Sequence, residues 1–476
     1  MNLNWSVISL ELSAIGLGLI LLISGLTFFR KKDKAFFGYV SIIGLLAMLA
    51  ASFYLPRSAS QTFLNGFYVQ DSMALYFKRL FIVVAIFVNG MALNYMKNFT
   101  KNRTDFFALI FFALAGMMVM ASSAEFITLY VGMELMTLTN VLLTAYKKHD
   151  VRSGEAGLKY ILLNAVSSGI FLYGLSLLYG LVGTLDFATM ITVFKTQASS
   201  PLLIMAIVMV LAGFSFKISL VPFQMWAPDI YEGAPTPIAA FLAVGSKAAG
   251  FVAIIRVFFL VFASYATIFI PLLVVLAILT LLIGNLIAMA QTHLKRLLAY
   301  SSIAHAGYLI LGVIAYTKLG LGAILFYLLI YLFANISAFT VATILVMQTG
   351  DDRIEDLSGL WKRSPLMSSV LIISLLSLAG IPPTAGFIGK FYLILEVIHQ
   401  GYLWLAILAI AMNVVAIYYY LMVIRTCVSG LTEAKPRLVI PKVLTMIMIV
   451  STAMTLLIGI FPSFFTNYFL RIAQGF

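Results

Sequence analysis

Apolar residues run through this chain in long uninterrupted stretches, and polar residues gather in the short segments between them. A helix needs roughly 20 apolar residues to cross about 30 Å of hydrocarbon. Fourteen runs reach that scale: 6–29, 36–54, 76–96, 105–121, 125–146, 156–180, 201–223, 237–258, 264–289, 297–315, 320–347, 365–398, 401–424 and 442–462. The pattern predicts an all-α polytopic membrane protein of about 14 transmembrane helices, with residues 1–476 as one membrane domain. The first run is not read as a signal peptide. No basic residue precedes it, it contains Glu11, and it lacks a small-residue cleavage site.

The twelfth run is too long for one straight span and contains Pro382 and Pro383, so a broken helix is expected there. The seventh run is followed by Pro222, Gly233, Pro235 and Pro237; the twelfth contains Gly380 and Gly386 beside its prolines. Each interrupted segment carries a lysine, Lys217 and Lys390. The two segments lie an odd number of helices apart and therefore cross the membrane in opposite directions. Interrupted helices at matching positions of inverted repeats point to a transport path. The expected repeats are helices 4–8 (105–258) and helices 9–13 (264–424), with helices 7 and 12 broken.

Composition narrows the class. The chain is 63% hydrophobic and 10% charged, whereas soluble domains carry about 25% charged residues. That excludes a nucleic-acid binder despite a net charge of +13. The surplus follows the positive-inside rule. Arg30, Lys31, Lys32 and Lys34 after the first run mark an inner loop. With fourteen spans, 19 basic residues fall in inner loops and 7 at the outer side, Lys78, Arg79 and Arg256 among the latter. Both termini are expected outside.

The single Cys427, four dispersed histidines and the lack of a P-loop or strand-linked GxGxxG give no cofactor or metal signature. What stands out is charge inside the apolar runs: Glu134, Lys217, Lys247, His305 and Lys390, with Lys159 near an interface. Each such charge at a helix centre costs about 2.5–3.5 kcal/mol on insertion scales. Snorkelling or structural pairing accounts for Glu125 at a helix end; for Lys159 that reading and a place in a proton relay both stand. For His305, a satisfied polar contact and a relay role both stand. One glutamate cannot neutralise Lys217, Lys247 and Lys390, which argues for a working charge array. Burial favours a neutral lysine, and a nearby carboxylate favours a charged one. A Glu134 that approaches and leaves Lys217 would thus control its proton, which Lys247, His305 and Lys390 would pass along the membrane plane. Asp229 and Glu232 are expected in a wet inner loop. Asp351, Asp352, Glu355 and Asp356 are expected on a solvated loop face.

Several long motifs carry a resemblance. Phe216-Lys-Ile-Ser-Leu-Val-Pro-Phe-Gln-Met-Trp-Ala-Pro-Asp-Ile-Tyr-Glu-Gly-Ala-Pro-Thr-Pro237 resembles the proton-channel signature of the antiporter-like membrane subunits of respiratory complex I. Ala243-Val-Gly-Ser-Lys-Ala-Ala-Gly250, Leu158-Lys-Tyr160, Arg296–Tyr308 and Leu378–Lys390 resemble the bacterial N-type subunit. The resemblance spans nearly the whole chain and implies a proton-translocating subunit of an NADH–quinone oxidoreductase in the bacterial cell membrane. It implies that Glu134, Lys217, Lys247 and Lys390 carry protons, with His305 on the connecting path. It implies no cofactor in this chain; iron–sulfur clusters, flavin and quinone would reside in partner subunits. The partners implied are the other membrane subunits of the complex and, through them, its peripheral redox arm. The lysine at 390 fits the N-type better than the M-type, which has a glutamate there. Gln224 departs from the family's common Pro-Phe-His-Met-Trp. The alternatives are a subunit of an Mrp-type sodium/proton antiporter, which shares the channel signature, and a scaffold subunit with a vestigial charged path.

Overall fold

The computed structural model describes residues 4–27, 35–55, 61–96, 104–429 and 438–476. The basic cluster at 30–34 lies outside the described residues. The chain begins with α1 (Ser9–Thr27) and α2 (Ala35–Tyr54), then a short hairpin, β1 (Gln61–Phe63) and β2 (Tyr68–Gln70), paired antiparallel. The rest is helical. α3 (Ser72–Tyr95), α4 (Thr104–Ser122), α5 (Phe126–Thr144) and α6 (Val151–Val182) precede a short α7 (Phe187–Phe194). α8 (Pro201–Ile218), α9 (Trp226–Gly233), α10 (Thr236–Phe241) and α11 (Lys247–Arg256) follow. Then come α12 (Ala266–Ala288), α13 (Leu294–Ala315), α14 (Lys318–Thr349) and α15 (Leu360–Arg363). The chain ends with α16 (Pro365–Ala379), α17 (Ala385–His399), α18 (Leu403–Val428), α19 (Lys442–Ile460) and α20 (Pro462–Gln474).

Among the described residues, twelve helices are long and apolar enough to cross a membrane. The second expected run is a shorter apolar helix, Phe36–Ser52. The twelfth is split between α16 and α17. Thr236–Val261 acts as one span because α10 and α11 are joined through a π-helical turn, Leu242–Ser246. A π-turn adds one residue to a helical turn and re-aims the side chains beyond it. Here it sits directly before Lys247.

Burial separates a centre from a rim. The most apolar window of Thr236–Val261 is buried throughout and that of α13 over 94%, against 28% for α18. The central helices carry the polar side chains, and the outer helices turn leucine, isoleucine and valine outward. Close packing depends on glycine at a few crossings. A Cβ on Gly116 of α4 would lie 2.6 Å from the Met136 nitrogen and 2.7 Å from the Gly132 oxygen of α5. Gly116→Val therefore forces α4 and α5 apart. Overpacking of this kind costs about 1–3 kcal/mol, and we expect a lower melting midpoint and less assembled protein in membrane extracts.

Both expected breaks are present, with the same end geometry. α8 stops at Ile218 because Ser219 turns left-handed at φ 60°. Ser219 N–H then bonds the Phe216 oxygen and Leu220 N–H the Ser215 oxygen. α16 stops at Ala379 because Gly380 takes φ 77°. Gly380 N–H bonds the Ser377 oxygen and Ile381 N–H the Leu376 oxygen. This paired closure satisfies the last carbonyls of a helix inside a low-dielectric bundle. The lysines differ in placement: Lys217 precedes its break, and Lys390 follows its own.

Three sequence expectations change. The segment expected as a wet loop after the seventh span folds as α9, with Trp226 and Tyr231 buried. Trp226 stacks on Tyr160 at 5.1 Å, and its Nε1 donates to the Phe216 oxygen at 2.8 Å, so α9 is pinned to the end of α8. Asp229 and Glu232 are partnered rather than free in solvent: Arg296 binds both. The basic residues counted at the outer side include buried pairs. Lys78 is fully buried, 2.8 Å from Glu11, and Arg256 binds Asp71 at 2.9 Å.

Candidate functional site

Glu134 and Lys217 meet at the junction of α5, α6 and α8. Lys217 Nζ is 3.9 Å from Glu134 Oε1, too far for a hydrogen bond. Two other side chains hold the ammonium: it donates to Thr137 Oγ1 at 2.6 Å and to Asn164 Oδ1 at 2.6 Å. Asn164 also donates through Nδ2 to Glu134 Oε2 at 3.1 Å, and Ser168 Oγ donates to Glu134 Oε1 at 2.5 Å. The asparagine amide thus bridges base and acid. Lys217 is only 2% exposed at its side chain, while Glu134 retains 17%. Lys217 also lies in the last turn of α8, where carbonyl dipoles favour a cation.

Thr137, Asn164 and Ser168 were missed by the reading of charges alone. Their signal was spacing: Glu134 and Thr137 lie three apart on one helix, Asn164 and Ser168 four apart on the next, each pair on one helical face. Asn164→Leu leaves Lys217 bonded to Thr137 only and Glu134 to Ser168 only. We expect proton transfer about 10²-fold slower, the low end for a lost acid–base contact, measured as pumping rate in vesicles.

Lys247 lies one turn from the crossing of α11 over α8. At that crossing a Cβ on Gly250 would sit 3.6 Å from Lys217 Cβ. Lys247 is 2% exposed and its Nζ has no hydrogen-bond partner among the described residues. An unpartnered ammonium in an apolar interior is costly.

His305 on α13 is 3% exposed and is held from both sides. Its Nδ1 is 2.6 Å from Tyr327 Oη, and its Nε2 is 3.3 Å from Tyr420 Oη. Tyr420 Oη also bonds Ser301 Oγ. Lys390 is reached through the next aromatic: its Nζ lies 4.7 Å from the centre of the Tyr308 ring, one turn beyond His305. Lys390 Nζ donates to the Leu378 oxygen at 2.7 Å and to Asn413 Oδ1 at 2.5 Å. The lysine after the break thereby caps the helix before it. The break itself leaves no room for side chains: a Cβ on Gly386 would collide with the Ser377 carbonyl. Gly386→Ala should push α17 off α16 and displace Lys390. We expect lower yield of the assembled protein and loss of pumping in what remains.

Lys159 stands apart from this string. It is 43% exposed and sits 2.8 Å from both Glu155 and Asp229, in a charged surface cluster with Arg296 and Glu232. On the same end of the bundle His293, Asp351 and Asp352 come together, His293 Nδ1 lying 3.5 and 3.4 Å from the two carboxylates. Partial burial pushes the Asp351 carboxyl up. The Asp352 N–H, His293 and the Arg353 guanidinium outweigh that and hold it below its ordinary value.

Two linked groups thus occupy the bundle, Glu134–Asn164–Lys217 and His305 with Tyr308 and Lys390, and Lys247 is buried on α11 one turn from the Lys217 crossing. A fold with this centre has known relatives. Residues 123–416 match the family described as "NADH:quinone oxidoreductase/Mrp antiporter, TM". The NADH-quinone oxidoreductase subunit N of Moorella thermoacetica is 46% identical over 100% of this chain and 99% of its own length. The chain belongs to that family, on its subunit N branch. Among solved structures, a chain of respiratory complex I from Thermus thermophilus is 30% identical. It has a TM-score of 0.82 over 96% of this chain and 98% of its own. A chain of the Mrp complex from Dietzia sp. DQ12-45-1b shares the fold, with a TM-score of 0.85 at 20% identity over 98% of this chain and 96% of its own. This member of the family is a multi-pass membrane protein, as the apolar pattern predicted.

Proposed function

We propose that this chain is the N-type proton-translocating membrane subunit of an NADH–quinone oxidoreductase, and that Glu134, Lys217, Lys247, His305 and Lys390 carry the protons. The observation that carries this reading is the Glu134–Asn164–Lys217 contact: a partly exposed acid and a buried base separated by 3.9 Å and coupled through one amide. A 3.9 Å gap can close or open with a small helix shift, which changes how strongly the carboxylate holds the lysine's proton. A pulse of charge in a neighbouring subunit would then move a proton here without a redox centre in this chain. Iron–sulfur clusters, flavin and quinone belong to partner subunits in this reading.

We further infer two inverted repeats, 105–258 and 264–424. The support is the shared closure at Ser219 and Gly380 on oppositely directed helices. The bundle end bearing Lys147, Arg152, Lys295, Arg296 and Arg363 is taken as the inner face of the bacterial cell membrane. Lys159 serves at that face, in the charged cluster, rather than in the buried string.

Extraction of the tagged chain from native membranes in mild detergent tests the assignment. Co-purifying iron–sulfur and quinone-site subunits, with quinone reduction that acidifies one side of reconstituted vesicles, is the expected result. Recovery with antiporter-type membrane subunits alone, and sodium-dependent proton exchange without quinone, would replace it by the Mrp-type reading.

A further inference from the structure

We propose that the second half of the bundle has its own proton-loading mouth at the inner face, a cavity that feeds His305 through Tyr419 and Tyr420. This rests on the proton-carrying role proposed above and adds an entry that the lysine string does not contain. The cavity holds about 440 Å³ between the ends of α12 and α18 and the start of α13. Its rim is mixed: Gln291, Thr292, Glu355, Ser358 and Thr426 stand beside apolar side chains such as Met422. That rim and volume suit several waters.

The inner wall leads directly to the histidine. Tyr419 lines the cavity and donates to Asn285 Oδ1 at 3.3 Å. Its ring centre is 4.4 Å from that of Tyr420. Leu297 lines the same wall, and Ser301, one turn along α13, bonds Tyr420 Oη. One helical turn, about 6 Å of rise, separates the cavity from a hydroxyl pair that touches His305 Nε2. Beyond the ring, Tyr327 Oη lies within hydrogen-bond distance of Nδ1, at 2.6 Å. Tyr327 also abuts α17 at Gly389, the residue before Lys390. Serine and tyrosine hydroxyls both donate and accept, and an imidazole does so at opposite edges. Ser301, Tyr420, His305 and Tyr327 therefore form a hydrogen-bonded run of exchangeable protons between the cavity wall and α17, and water completes it at either end.

The transfer balances. A proton from cavity water reaches the Tyr420 oxygen by way of Ser301 or Tyr419 as the Tyr420 hydroxyl proton passes to His305 Nε2. The imidazolium so formed gives its Nδ1 proton to the Tyr327 oxygen as that hydroxyl passes its own proton on toward Lys390. The ring ends protonated at Nε2 and reorients before the next proton.

The test uses the whole complex in inside-out vesicles, with Cys427→Ser as background because Cys427 is the native thiol of this chain. Ser358→Cys places a thiol on the rim. A bulky membrane-impermeant maleimide should lower the protons pumped per electron in this variant, and leave the Cys427→Ser parent unchanged. Tyr420→Phe keeps the ring and removes the hydroxyl. It should slow pumping about 10²-fold or more, the scale of a lost acid–base group, with assembly unchanged. Normal pumping in both the labelled Ser358→Cys complex and Tyr420→Phe would overturn the mouth. Lys217→Ala, run alongside, separates the two readings. If Lys217→Ala stops pumping while both mouth variants pump normally, the lysine string stands and the mouth falls. If Lys217→Ala pumps normally, the string falls whatever the mouth variants do.

Discussion

Lys217→Ala should assemble into its complex and fail to pump. The side chain is nearly fully buried and makes two short bonds, to Thr137 and Asn164, with Glu134 at 3.9 Å. Truncation leaves those acceptors without a donor, at about 1–3 kcal/mol for a buried polar group. Glu134 keeps Ser168 and Asn164 as partners and is partly exposed, so it is not stranded as a bare buried charge. Folding should survive. Pumping should fall about 10²-fold or more, as when a positioned acid–base group is removed. Lys217→Arg sharpens the point. It keeps the positive charge and the bond to Asn164, yet a guanidinium does not give up its proton in a protein. If Lys217 only balances Glu134 electrostatically, arginine should pump. If it carries a proton, arginine should fail like alanine while assembling better. Proton uptake and quinone reduction, measured together in vesicles, decide between the two. Normal pumping in both Lys217→Ala and Glu134→Ala would refute the mechanism.

Most of the scaffold was legible because membrane physics leaves few choices. Backbone polar groups must pair within the segment, so long apolar runs become helices. Proline and glycine told which two helices are interrupted, and Gly380 turns where that reading put a break; the left-handed turn at Ser219, before Pro222, carried no such mark. What stayed hidden was pairing between distant segments. Lys78 looked like an outer-end charge, but its Glu11 partner is 67 positions earlier in the chain and meets it and Tyr68 only once the bundle has folded around α4. Asp229 and Glu232 looked solvated because their partner Arg296 is on α13. The charged members of the path could be chosen on cost alone, since an ionisable group in lipid is expensive wherever it points. The neutral members could not. Asn164, Thr137, Tyr327 and Tyr420 are cheap residues in a membrane helix, and only their distances to Lys217 and His305 give them roles.

Lys247→Met separates a working charge from a structural one most cleanly. Every other lysine of the string has hydrogen-bond partners; Lys247 Nζ has none among the described residues and is almost wholly buried. If stability had shaped this position, an apolar residue of similar length would serve better. Methionine fills nearly the same space, bends to fit and brings no polar atom. Replacing buried ionic groups by apolar ones of like volume is often neutral or stabilising by about 1–4 kcal/mol. We therefore expect the purified complex carrying Lys247→Met to melt at or above the temperature of its parent. Its proton pumping should nonetheless be lost, because in the proposed path Lys247, one turn from the Lys217 crossing at Gly250, carries the proton onward from Lys217. A lysine retained for packing would give the opposite pair of results, a lower melting temperature with pumping intact. A rise in stability paired with a loss of transport would mean that the fold carries the cost of an unpaired ammonium at this position because the charge moves.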